Sequence, residues 1–87
     1  MNIEVVWDNI KQYEGKTFYK IKGGPYTYVV CSDYLLVNNL KSRRIIKAMI
    51  ERAMTIENPP PGKIKAAGCW GPSYIWGIIT DKRIRVV

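Results

Sequence analysis

Apolar and polar residues along this chain change period twice, and the changes divide it into elements. From Ile3 the apolar positions Ile3, Val6, Trp7, Ile10 and Tyr13 follow the i, i+3, i+4, i+7 spacing of one helix face. Asn2 is placed to cap that helix, Glu4 suits its first turn, and Gly15 stands just past its end. The spacing predicts an amphipathic helix over 3–13 with Trp7 at the centre of its buried face. From Thr17 the period becomes two. Thr17, Tyr19 and Ile21 alternate with Phe18, Lys20 and Lys22; Tyr26, Tyr28 and Val30 with Thr27, Val29 and Cys31; Tyr34, Leu36 and Asn38 with Leu35 and Val37. Tyr, Val and Ile suit a pleated, half-buried surface, and breaks fall at Gly23-Gly24-Pro25 and Ser32-Asp33. Three strands in a meander from about residue 17 to 38 are expected. Which tyrosines share a face with Lys20 and Lys22 depends on register, since a slip of one residue exchanges the two sets.

Helical spacing returns after the polar and basic bridge 38–44, with Ile46, Met49, Ile50 and Ala53 on one side. A second helix over about 43–56 follows, with Ser42 as the evident cap or a start one turn later. Asn58-Pro59-Pro60-Pro61-Gly62 ends it and is too short to separate domains. Residues 63–67 suit one further helical turn. In 72–79 strand propensity competes with helical periodicity; Pro72 at a first helical position and Tyr74, Ile75, Ile78 and Ile79 on one side decide for a short helix. The expected architecture is α+β: a single domain over 1–87, with a three-stranded antiparallel meander packed against an N-terminal, a central and a short C-terminal helix.

The motifs Gly15-x-Thr17-Phe18, Pro25-Tyr26-Thr27-Tyr28, Ser42-Arg43, Glu51-Arg52-Ala53, Gly71-Pro72-Ser73-Tyr74-Ile75-Trp76 and Asp81-x-Arg83-Ile84 together resemble a pattern shared by a group of small prokaryotic and phage proteins. The resemblance covers roughly residues 15 to 84. It implies a shared small α+β fold and carries no catalytic role. The chain departs from that pattern at Ile46 and Met49, where polar residues at a helix start are expected.

Charge narrows the function. Fourteen Lys and Arg against seven acids give +7, unevenly placed. Residues 1–15 hold one base (Lys11) against Glu4, Asp8 and Glu14, whereas 16–56 hold eight bases against two acids. Such a field favours an anionic partner: nucleic acid, a small nucleotide or an acidic protein surface. The anion site is expected at Lys41, Arg43, Arg44 and Lys47 at the head of the second helix, with Lys20 and Lys22 contributing from the sheet, and with Tyr26, Tyr28, Trp70 and Tyr74 as aromatic contacts. Cations neutralise phosphates while rings stack bases.

Catalytic chemistry has little to build on. There is no histidine, so neither a metal site nor general acid–base work finds its usual ligand or base. Asp33, Glu51 and Asp81 each suit a turn or a helix, and Cys69 is the best nucleophile offered but has no visible base. Gly23-Gly24 and Gly68-x-x-Gly71 match no phosphate-loop fingerprint. A non-enzymatic binding protein without cofactor or metal is therefore expected, monomeric or a small homo-oligomer. With no signal-like or membrane-spanning stretch, it is expected in the cytoplasm. The alternative is a phage- or mobile-element-encoded module that inhibits a host defence factor by meeting an acidic host protein.

Overall fold

A computed structural model describes residues 2–38, 44–56, 61–66 and 71–85. Helix α1 spans Ile3–Gln12 and starts as its sequence requires: Asn2 is extended, and its Oδ1 accepts from the Val5 amide at 3.0 Å. Val6, Trp7 and Ile10 are buried on its inner face. The chain turns at Gly15, whose φ of 81° suits glycine, and the Gly15 amide donates to the Tyr28 carbonyl at 3.0 Å.

Strand β1, Phe18–Tyr19, pairs antiparallel with β2, Pro25–Tyr26, in a two-stranded ribbon closed at Gly23. Strands β3 (Tyr28–Cys31), β4 (Tyr34–Val37) and β5 (Arg44–Ile46) form an antiparallel sheet in that order. The expected α+β class and the three-stranded antiparallel meander are present, but membership of the meander differs. The segment 17–22 contributes only to the ribbon, and the third strand of the sheet is β5. Thr27 causes the first difference: its amide and carbonyl both bond Asn38, through Asn38 Oδ1 at 3.1 Å and the Asn38 amide at 2.8 Å, so β2 and β3 separate there. Ile45 causes the second. It is fully buried between exposed Arg44 and Ile46, which is a strand alternation.

Helix α2 therefore begins only at Lys47 and runs to Met54, with extended Ile46 at its cap position and no side-chain cap bond. That accounts for an apolar residue at a helix start. Its Ile50 and Ala53 are buried. Helix α3, Pro61–Ala66, inserts Ile64 into the core, and α4 occupies Pro72–Ile79, helical as periodicity and Pro72 require. A single cluster of buried side chains draws on all of these elements and on Ile84.

Two details position the surface. Gly77 of α4 lets the ribbon approach: a Cβ there would lie 2.5 Å from the Tyr19 carbonyl oxygen and 2.5 Å from Tyr26 Oη. Gly71, at φ 64°, lies between Tyr74 and Ile45, so the start of α4 abuts the strand that presents Arg44. No described helix is long and apolar enough to cross a membrane.

Candidate functional site

Of the expected strand over 17–22 only Phe18–Tyr19 is extended in the ribbon, and it faces opposite to what hydropathy suggests. Phe18 is fully buried while Tyr19 is 57% and Ile21 48% exposed. Lys20, on the Phe18 side, is half-buried, and its Nζ lies 5.3 Å from the centroid of the Tyr74 ring. Lys22 is exposed beside the Gly23 turn. The Tyr74 ring in turn meets Tyr26 edge-on, with centroids 5.0 Å apart and planes at 82°. Lys20, Tyr74 and Tyr26 thus form one chain of contacts towards the core, held by the residue after β1, by β2 and by the first turn of α4.

Tyr26 and Tyr28, expected as aromatic contacts for a ligand, are core residues, at 3% and 1% exposure. Each hydroxyl has an internal acceptor: Tyr26 Oη donates to the Tyr74 carbonyl and Tyr28 Oη to the Ile10 carbonyl, both at 2.6 Å. Burial pushes both hydroxyls well above the ordinary tyrosine range, because the ionised form would lose its water. Neither ring is open to stacking from outside.

The basic cluster expected at the head of the second helix is divided between two elements. Arg44 opens β5, is exposed, and holds its guanidinium 4.9 Å from the Tyr34 ring centroid. Lys47 opens α2, but its Nζ pairs with Glu4 Oε1 of α1 at 2.9 Å. Lys41, Arg43 and Trp70 lie outside the described residues, as does Cys69.

Tyr34 was not among the expected contacts, and it is the ring that the sheet register brings to Arg44. Cross-strand pairing aligns Val29 with Leu36 and Leu36 with Arg44, then Cys31 with Tyr34 and Tyr34 with Ile46. Directly opposed residues project from the same face. The inner face is then Tyr28, Val30, Leu35, Val37 and Ile45. The outer face consists of the two named rows, every member half-buried or exposed. The signal was present in the alternation Tyr34, Leu36 against Leu35, Val37; it lacked only the strand carrying Arg44.

The most strongly bonded ions lie elsewhere. Arg83 donates from Nε to Asp81 Oδ1 and from a terminal nitrogen to Asp81 Oδ2, both at 2.9 Å, and also to the Thr17 carbonyl at 2.9 Å. Its guanidinium lies 4.1 Å from the Phe18 ring centroid. These bonds from Arg83 hold the Asp81 carboxyl below the usual range, and Asp81 raises Arg83 in return. With its donors committed inward, this pair fastens the C-terminal turn to β1. Among the described residues no group of three or more potential metal-ligating side chains gathers. Compared with protein-family models, with curated proteins and with solved structures, the chain matches none.

Proposed function

We propose that this protein binds an anionic partner, nucleic acid or a small nucleotide, without catalysing a reaction on it. The surface used includes Lys20, Lys22 and Arg44, with Tyr74 and Tyr34 beside them. One observation carries the reading. Lys20 and Arg44 each rest over a half-exposed tyrosine ring, and among the described residues neither has a carboxylate partner, on a chain of +7 charge. Such a cation keeps its full charge for a phosphate, and at Arg44 the Tyr34 ring beside it suits a base. Lys47 contributes less to this surface, because Glu4 already meets it.

Two measurements on the purified protein test the reading. Mass spectrometry after denaturation identifies any co-purified nucleotide or polynucleotide, and a heparin column reports the basic surface. The protein is expected to be retained on heparin, and the variant Lys20→Ala/Lys22→Ala/Arg44→Ala to elute at clearly lower salt. Passage through heparin without retention, with no nucleotide or nucleic acid carried and a stable complex with an acidic host protein instead, would overturn the reading in favour of a protein partner.

A further inference from the structure

The outer face of the β3-β4-β5 sheet supports a sharper statement than general basicity. Its two cross-strand rows, Val29-Leu36-Arg44 and Cys31-Tyr34-Ile46, contain five apolar or weakly polar side chains and one cation. No carboxylate belongs to either row; Glu14 borders the platform at the β3 edge, where its Oε1 accepts from the Val30 amide at 2.6 Å. Asp33, nearest along the chain, lies in the turn beyond the Tyr34 row, where its carbonyl accepts from the Lys47 amide at 2.8 Å. Ile46 is 41% exposed, and Cys31 is a free thiol of intermediate exposure.

Size and charge together select the occupant. Three strands at ordinary spacing and two residues along each make a platform of about 10 by 7 Å, the footprint of one or two stacked bases. A stable interface with a second copy needs about 800 Å² from each partner and some twenty to thirty residues, more than six partly covered side chains supply. A two-fold contact through this face would also set Arg44 near its own symmetry mate, between two chains of +7 charge. A polyanion meets neither objection. Arg44 is already parked on the Tyr34 ring. An unstacked base would fit on Tyr34 with Leu36 and Ile46 at its edges, freeing the displaced guanidinium for the adjacent phosphate. A base within a duplex has both faces covered and cannot use this platform.

We infer that the outer sheet face is a stacking platform for single-stranded nucleic acid, centred on Tyr34 with Arg44 as its phosphate contact. The inference rests on the anion-binding reading and adds strand state and site to it.

The test uses the full chain carrying Cys69→Ser, so that Cys31 is the remaining thiol. Fluorescein-labelled dT12, rU12 and a mixed-sequence 12-base-pair duplex are titrated by anisotropy. Either single strand is expected to bind more tightly than the duplex. Tyr34→Ala should weaken that binding at least about fivefold, with Tyr34→Trp retaining it. Saturating dT12 or rU12 should also slow maleimide labelling of Cys31. Where Tyr34→Ala leaves affinity unchanged while Lys20→Ala/Lys22→Ala/Arg44→Ala lowers it, the anion-binding reading stands and the platform fails. If no probe binds, the platform fails, and the anion-binding reading fails with it unless a small nucleotide co-purifies with the protein. Should Tyr34→Ala not fold, labelling with Tyr34 in place decides: Cys31 reactivity unchanged by a saturating oligonucleotide overturns the platform. The platform also fails if Tyr34→Ala only dissociates an oligomer without changing oligonucleotide affinity.

Discussion

The hydroxyl of Tyr28 completes a helix that its own backbone leaves unfinished. In the last turn of α1 the Asn9 carbonyl accepts from the Tyr13 amide and the Lys11 carbonyl from the Glu14 amide, while the Ile10 carbonyl accepts from Tyr28 Oη. Tyr28→Phe keeps the ring in place but leaves that acceptor buried without its donor. A loss of about 1–2 kcal/mol in denaturant unfolding is expected. The same hydroxyls make stability depend on alkaline pH. Tyr26 and Tyr28 are raised above the ordinary value of 10.0, so their contribution is complete below pH 10 and is lost as pH rises from there towards the folded values. Each hydroxyl should remove about 1.4 kcal/mol per pH unit in that window. Urea midpoints between pH 8 and 11.5 should fall accordingly, less steeply for Tyr28→Phe; a flat profile would show that the hydroxyls reach solvent. Asp81 acts in the opposite direction. Its carboxyl is lowered by Arg83, so its contribution is present above the ordinary 3.8 and fades as pH falls through the lowered value.

Between elements, α4 approaches the ribbon closely, and Gly77 sets that approach. In an exposed helix Gly→Ala gains close to 1 kcal/mol, but here the added methyl would meet the Tyr19 backbone oxygen and Tyr26 Oη, both at 2.5 Å. Backbone oxygen cannot swing aside, so Gly77→Ala should destabilise by about 1–3 kcal/mol; a rise in thermal midpoint would refute the close approach. Trp7, 3% exposed at the centre of the α1 stripe, should cost about 3–5 kcal/mol on truncation to Ala. These two elements also mark what the sequence discloses. Helix α1 was legible because Asn2, the 3.6 period and Gly15 agree, and α4 because Pro72 settles a conflict with β propensity. Strand β5 was not, because its three residues run straight into the helical spacing of α2, and a single buried Ile45 is too little signal to break that pattern. In the ribbon the alternation held only for Phe18 and Tyr19, because Ile21 and Lys22 fall in the turn, and its orientation was hidden: Tyr19 faces solvent because the Phe18 side is the one that α4 and Arg83 cover. Register ambiguity likewise put the buried Tyr26 and Tyr28 among the candidate ligand contacts.

At the scale of the whole molecule, the partner is read from how its binding responds to salt. Each phosphate neutralised contributes about 0.7 to the slope of log affinity against log salt for a single strand and about 0.9 for a duplex. A base contributes in proportion to the charge it has available. Among the described residues Arg44, Lys20 and Lys22 have no carboxylate partner, whereas Lys47 already faces Glu4 at 2.9 Å, so replacing Lys47 removes a cation whose field is partly cancelled. Lys20→Ala/Lys22→Ala/Arg44→Ala should therefore flatten the slope by up to about 2, and Lys47→Ala by distinctly less than Arg44→Ala alone. Anisotropy titrations of labelled dT12 between 50 and about 300 mM salt measure both differences. A free nucleotide would behave otherwise, with a shallow slope from the start and binding abolished by the triple substitution. Equal effects of Lys47→Ala and Arg44→Ala would mean that the Glu4 pair does not hold in solution, which returns the head of α2 to the binding surface. A slope untouched by all four substitutions would place the contacts on other bases of the chain.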